Sequence, residues 1–336
     1  MDQLKFVVEA SEAESITQKL GLPSVRHLLP ALVQPAQSLA HPPISNYHVA
    51  AVGLGSDGRI FLGVNLEFPG LPLHYSVHAE QFLLTNLAVH RCPRLLAFAV
   101  SAAPCGHCRQ FLQELRNPSD LQIHITSQKT NPNDVTFEPL RDILPNPFGP
   151  FDLLDDETPL LLERHNNGLS LSDLANGFVN SQSNGSDKNG STSTSTTLLR
   201  VAALEAANDS HAPYSGCPSG VAVMDCEGKI YKGSYMESAA YNPSLGPVQA
   251  ALVSYVAGGG GGYERIVAAA LVEKEAAKVR QEDTARLFMK LVSPKYLIVT
   301  VKLVAVHVIH ASFCPLHIKA GKFNFLDESA PQNDNS

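Results

Sequence analysis

Two short segments, His78-Ala79-Glu80 and Pro104-Cys105-Gly106-His107-Cys108, hold the residue types of a metal-assisted hydrolysis. Each stands just before an amphipathic run, at 81–88 and at 109–115, so each is expected to open a helix, where free N–H groups and the dipole favour thiolates over thiols. Pro104 suits the first helical position, where its missing N–H costs nothing. Cys105 and Cys108 are three apart and share a helix face, within reach of one ion, and His78 supplies a third ligand from the other helix. Three protein ligands leave the fourth tetrahedral position open, the arrangement of a catalytic zinc. Two thiolates weaken the acidifying effect of zinc on water, so a neighbouring proton acceptor becomes necessary, and Glu80 is that group.

A lone Cys-x-x-Cys is equally a redox pair or half of a structural zinc site, and a lone His-x-Glu arises by chance on many helices. Their combination, with the preceding proline and both helix placements, is far more specific. His107 lies between the cysteines and is expected to point off their shared face as a surface or supporting residue. Asn65 and Glu67 follow the strand-like stretch 59–64 and alternate onto one side. An amide beside a carboxylate suits a sugar hydroxyl, and the carboxylate repels a phosphate; a solvated strand end is the plain alternative.

The elements that must position these groups read as α/β. Helical patterns at 12–20, 25–38, 79–88, 105–115 and 198–208 alternate with strand-like stretches at 49–54, 60–64, 95–101 and 121–126. That order predicts a mixed β-sheet with helices on both faces, the two metal-bearing helices side by side. Residues 180–197 contain no apolar side chain and read as a linker. Beyond it the first half reappears. Ala212-Pro213-Tyr214-Ser215 echoes Pro43-Ile44-Ser45, Gly228-Lys229-Ile230-Tyr231-Lys232-Gly233 echoes Gly58-Arg59-Ile60-Phe61-Leu62-Gly63, and Glu237 falls where Glu67 fell. With one residue inserted, His78-Ala79-Glu80-Gln81 aligns with Gln249-Ala250-Ala251-Leu252, while Cys105 and Cys108 align with Ala276 and Val279 and Arg280-Gln281 echoes Arg109-Gln110. The second copy has lost every ligand and the carboxylate, which makes it a structural partner.

Composition narrows the class. The 336 residues, 44% of them hydrophobic, suit two domains of a globular protein. A net charge of −7 argues against a nucleic-acid surface. The six cysteines do not form a secreted disulfide framework, and residues 1–30 lack a signal-peptide pattern, so a cytoplasmic location is expected. The glycines at 258–262 lack the Lys-Ser/Thr of a phosphate loop and read as a turn.

The chain resembles the two-domain, homodimeric cytidine deaminases of bacteria and plants from Pro42 to about Pro294. The resemblance is carried by Pro43-Ile44-Ser45-Asn46-Tyr47, Gly63-Val64-Asn65-Leu66-Glu67-Phe68, Val77-His78-Ala79-Glu80-Gln81, Pro104-Cys105-Gly106-His107-Cys108-Arg109-Gln110-Phe111 and Phe148-Gly149-Pro150. His-x-Glu followed by Pro-Cys-x-x-Cys is the known zinc-deaminase signature. The resemblance implies a cytidine deaminase-like fold, duplicated as catalytic and degenerate domains, with a single Zn2+ per chain on His78, Cys105 and Cys108. It implies that Glu80 shuttles protons, that Asn65 and Glu67 hold the ribose 3′-hydroxyl, and that Tyr47 and Phe148 flank the base, with Ala79 also at the substrate. Tyr47 departs from the phenylalanine common in the family, which stacking tolerates. The implied reaction is hydrolytic deamination of cytidine and deoxycytidine in pyrimidine salvage, by a homodimer that binds neither nucleic acid nor membrane. A polynucleotide-editing deaminase and a catalytically silent dimerisation partner are the rival readings. The expected domains are an N-terminal helical segment at 1–41, the catalytic domain at 42–179, the linker at 180–197, the degenerate domain at 198–300 and a divergent extension at 301–336. In that extension His307, His310, Cys314 and His317 are read as solvated or packed.

Overall fold

The computed structural model describes residues 4–128, 135–170, 190–293 and 297–303. Its first half is a six-stranded mixed sheet in the order β1-β3-β2-β4-β5-β6. The strands are β1 (Val7–Val8), β2 (Ala50–Gly55), β3 (Ile60–Val64), β4 (Leu95–Val100), β5 (Gln122–Ile125) and β6 (Glu138–Pro139). Only β4 and β5 run parallel. Helix α1 (Ala10–Lys19) packs on α2 (Val25–Gln37), which covers one face of the sheet; α3 (Ala79–Val89) covers the other, with α4 (Gly106–Phe111) beside it. A short α5 (Leu140–Ile143) follows. The α/β reading, with helices on both faces, holds.

The second half repeats this plan as a four-stranded sheet in the order β10-β9-β7-β8, from β7 (Ser219–Asp225), β8 (Ile230–Ser234), β9 (Ile266–Lys274) and β10 (Leu297–Leu303). Its helices are α6 (Gly190–Asn208), α7 (Pro247–Ala257) and α8 (Glu282–Val292). Ala51 pairs with Gly63 in the first sheet as Val221 pairs with Gly233 in the second. At both glycines an added Cβ would collide with helix backbone, Ala79 and Leu83 in one half and Pro247 and Ala251 in the other. A side-chain-free position is what lets each helix lie directly on its strand.

The halves join through α3 and α7, which touch each other as well as their own sheets. Consequently α3 is buried from Ala79 to Leu87 on all sides, as expected of a helix with apolar residues all round. Gln81 Nε2 donates to the Pro243 carbonyl at 3.1 Å, and Gln249 Nε2 donates to the Tyr75 carbonyl at 3.0 Å. These reciprocal bonds give the junction the appearance of a two-fold contact within one chain.

Three sequence expectations change. The bridge of Leu66 with Val77 matches that of Met236 with Leu245, so the loop before α7 is two residues shorter than its counterpart. Gly246, Pro247, Val248 and Gln249 therefore stand opposite His78, Ala79, Glu80 and Gln81, not the alignment with Gln249-Ala250-Ala251-Leu252; the loss of ligand and carboxylate stands. Helix α6 starts at Gly190, inside the stretch read as linker, because adding residues to an existing helix needs no new nucleus. Pro104 precedes the capping residue Cys105 of α4 and is not the first helical residue. Residues 180–189 of the expected linker, and His307, His310, Cys314 and His317, lie outside the described residues.

Candidate active site

His78 caps α3 and Cys105 caps α4, so two helix N-termini converge. Backbone and side chains fix both caps. The His78 N–H donates to Gln81 Oε1 at 3.3 Å, and Arg109 Nε donates to the Pro104 carbonyl at 2.7 Å while its Nη1 reaches Ile143 O at 2.9 Å. His78 Nδ1 lies 3.4 Å from Cys105 Sγ and 3.3 Å from Cys108 Sγ. Tetrahedral zinc with bonds of about 2.0 Å to nitrogen and 2.3 Å to sulfur would space these atoms by roughly 3.6 Å. The imidazole nitrogen already stands close to that spacing from both sulfurs, and the chemistry of the set, one imidazole and two sulfurs, suits zinc.

The electrostatics of the cluster are those of a ligand set that needs a cation. Hydrogen bonds from Cys108 and His78 pull the Cys105 thiol down to about 3. The contact with Cys105, and then burial, pushes the Cys108 thiol up. The Cys105 sulfur in turn raises His78. Negative charge thus concentrates on the sulfur pair, where a divalent ion would neutralise it.

Glu80 is 5% exposed, and its Oε2 accepts from Cys108 Sγ at 3.3 Å. Burial raises its pKa against the opposing hydrogen bonds, the direction that suits a carboxyl group asked both to take and to give a proton.

His107 corrects the expectation that it points away. It belongs to a cluster with His78, Cys105 and Cys108 whose ligand atoms all lie within 4.8 Å, and its ring centre is 5.6 Å from that of His78. Its Nε2 bonds to the carbonyl of Asn242 from the second domain at 3.1 Å, and its Nδ1 is buried without a partner. That bond across the interface, invisible to local spacing, turns the ring back toward the sulfurs.

Asn65 and Glu67 lie just past the end of β3, on either side of the buried Leu66. Asn65 Oδ1 accepts from the Val49 N–H and its Nδ2 donates to the Tyr47 carbonyl, each at 2.9 Å. Glu67 accepts from Ile44 N at 2.9 Å, Ser45 N at 2.8 Å and Ser45 Oγ at 2.5 Å. Partial burial raises Glu67, but these donors outweigh it and its pKa is lowered. Glu237 makes the same three contacts to Tyr214 and Ser215, so this use of the carboxylate belongs to the fold itself. Asn65 has Tyr235 as its counterpart, so the amide occurs only in the half that carries the His/Cys cluster. Tyr47 and Phe148 are exposed at 60% and 47%, and Gln110 Nε2 holds the Phe148 carbonyl. Ala79 is buried in the first turn of α3.

Sequence reasoning missed the loop 238–245 of the second domain. Tyr241 is 67% exposed, with a left-handed backbone (φ 62°) that a bulky residue rarely adopts. It immediately precedes the Asn242 and Pro243 carbonyls that bond to His107 and Gln81. The Asn-Pro pair marks a turn, but nothing local in the sequence ties that turn to residues more than 130 positions earlier.

A helix-borne His/Cys/Cys set with a buried carboxylate beside it, on a mixed sheet, defines the zinc-dependent deaminase class. Residues 24–124 and 140–286 each match the family described as "Cytidine and deoxycytidylate deaminase zinc-binding region". The chain is 58% identical over 302 residues to Cytidine deaminase 1 of Arabidopsis thaliana, covering 88% of this chain and 96% of that protein. It is 36% identical over 280 residues to the cytidine deaminase of Serratia proteamaculans (strain 568), covering 83% and 84%. A crystal structure of the cytidine deaminase from Mycobacterium tuberculosis aligns with a TM-score of 0.32 at 31% identity, over 37% of this chain and 96% of that one. The chain belongs to the cytidine deaminase family. The second matched region covers the half that lacks the ligands.

Proposed function

We propose that this protein hydrolyses cytidine and deoxycytidine to uridine and deoxyuridine with release of ammonia, in pyrimidine salvage. The observation that carries the reading is the buried Glu80 against Cys108 Sγ, beside an imidazole and two sulfurs at zinc-ligand spacing. Held by His78, Cys105 and Cys108, a single zinc per chain supplies the Lewis acidity that makes water nucleophilic near neutral pH. Glu80 takes one proton as water adds to C4 and passes it to N3, then takes the proton of the new C4 hydroxyl and delivers it to the exocyclic amine as the C4–N4 bond breaks and the C4 carbonyl forms. Asn65 and Glu67 keep unused hydrogen-bonding capacity for a ribose hydroxyl while they hold the 44–49 loop. Tyr47 and Phe148 supply aromatic faces for the base, Ala79 lines the pocket floor, and Tyr241 adds a wall from the second domain.

An N-terminal segment at 1–41, a catalytic domain at 42–179, a degenerate domain that begins with α6 at Gly190, a divergent extension at 301–336, a homodimeric assembly and a cytoplasmic location complete the reading. Among the described residues no helix is long and apolar enough to cross a membrane. The test is a single preparation of purified protein assayed on cytidine, deoxycytidine and a short cytosine-bearing single strand, with zinc measured in the same sample. Turnover of the nucleosides alone, with zinc present, supports the reading; turnover of the strand alone, or none with zinc bound, rejects it.

A further inference from the structure

Glu114 lies six residues beyond Cys108, at the end of the helical stretch that carries the zinc-site cysteines. It is fully buried, yet its carboxylate takes hydrogen bonds from the second domain: the Ala239 N–H at 2.8 Å, the Tyr214 hydroxyl at 2.6 Å and His211 Nε2 at 3.2 Å. Ala239 begins the very loop whose later carbonyls, at Asn242 and Pro243, are held by His107 and Gln81. Three side chains of the zinc-bearing helical segments therefore grip one loop at three points, and Tyr241 sits between the first grip and the other two.

The internal two-fold relation supplies a control. Contacts needed merely to join the halves occur twice, as with Gln81 and Gln249. The grip by Glu114 occurs once. The register that sets Arg280-Gln281 against Arg109-Gln110 does not hold in the structure, because Arg109 and Gln110 lie inside α4 whereas Arg280 and Gln281 precede the first residue of α8. Counted from the caps Cys105 and Gln281, the counterpart of Glu114 is Lys290, which offers no acceptor, and that of His107 is Asp283, both of them exposed. The matching loop of the first domain faces the half without zinc ligands and keeps only the Gln249 bond of the three.

We propose that Glu114 is a positioning residue for the deaminase site: by docking the 238–245 loop against the zinc-bearing helices it presets the wall, with Tyr241, against which nucleoside binds. The proposal rests on the nucleoside reading above. It also accounts for the retention of a second domain that has no chemistry of its own, because that domain is the source of the wall.

The test uses the full-length zinc-loaded protein and three variants, Glu114→Gln, Tyr214→Phe and Tyr241→Ala, with the Glu114→Gln/Tyr241→Ala double variant. Glu114→Gln keeps the volume but sets an amide among three donors, and KM for cytidine rises about tenfold while kcat stays within about threefold. Tyr214→Phe, which removes one donor and leaves the shape, raises KM about threefold. The double variant has the KM of Tyr241→Ala alone, since both changes act through one loop. Amide exchange read by mass spectrometry rises at 239–245 in Glu114→Gln, and this reports docking whether or not any nucleoside is turned over. If the unmutated protein fails on cytidine, the functional reading falls while the exchange data still decide the docking. Unchanged exchange, wild-type KM in both Glu114→Gln and Tyr214→Phe, or multiplied KM effects in the double variant would overturn the proposal. Should Glu114→Gln prove insoluble, Tyr214→Phe decides by its KM and its exchange.

Discussion

Replacing Glu80 with glutamine changes one atom and removes one capability. Glutamine fills the same space beside Cys108 Sγ, so the surroundings of the zinc ligands persist, but an amide neither takes up nor returns a proton at neutral pH. General acid–base catalysis contributes about 10²–10⁴ in rate, or roughly 3–5 kcal/mol of barrier at about 1.4 kcal/mol per tenfold. In the proposed mechanism a single carboxyl serves every proton transfer, so we expect kcat to fall by at least about 10², with zinc content as in the unmutated protein. Loss of absorbance of cytidine measures turnover, and metal analysis on the same sample measures zinc. Turnover within about tenfold of the parent, with zinc retained, would remove Glu80 from the mechanism.

Further outcomes follow from individual residues. Tyr47→Phe should leave KM for cytidine within about twofold, since stacking needs only the ring, whereas Tyr47→Ala should raise it about tenfold; steady-state kinetics on cytidine separates the two. Gly63→Ala and Gly233→Ala should each lose about 1–3 kcal/mol in urea unfolding, because the new methyl meets helix backbone in both halves; no loss at either site would contradict the close helix–strand contact. Burial, and then the neighbouring His211, lowers His165 to about 4. Such a histidine favours the folded state fully above its unfolded pKa near 6.5, and that contribution is lost as pH falls from there toward 4. Melting temperatures across that window should fall less steeply in His165→Asn than in the parent.

Much of the site was legible in the sequence because its chemistry is local. His78 with Glu80, and Cys105 with Cys108, are each close enough along one helix start for spacing to specify their geometry, and the repeated Gly63 and Gly233 register survives in order. What the sequence hid depends on contacts across the two halves. His107, grouped with the sulfurs, bonds to the Asn242 carbonyl, Glu114 is buried against Tyr214 and His211, and Tyr241 precedes Asn242 in a left-handed turn. Those partners are separated by about a hundred residues or more, so no periodicity reports them. The misaligned second copy of the His78 segment has a similar origin. Side-chain identity had been lost at Gly246, Pro247 and Val248, and only the strand bridges reveal that the preceding loop is two residues shorter. Asn65 and Glu67 show a further limit, since residue type suggested a sugar contact while what the structure shows is their hold on the 44–49 loop.

X-ray absorption at the zinc edge of the purified protein addresses the central claim most directly, that an imidazole and two thiolates hold zinc with one position left to water. The account predicts two sulfurs at about 2.3 Å and one nitrogen with one oxygen at about 2.0 Å, and no bound metal in Cys105→Ala. A shell of two sulfurs and two nitrogens, with His107 filling the open position, or zinc retained in full by Cys105→Ala, would contradict it.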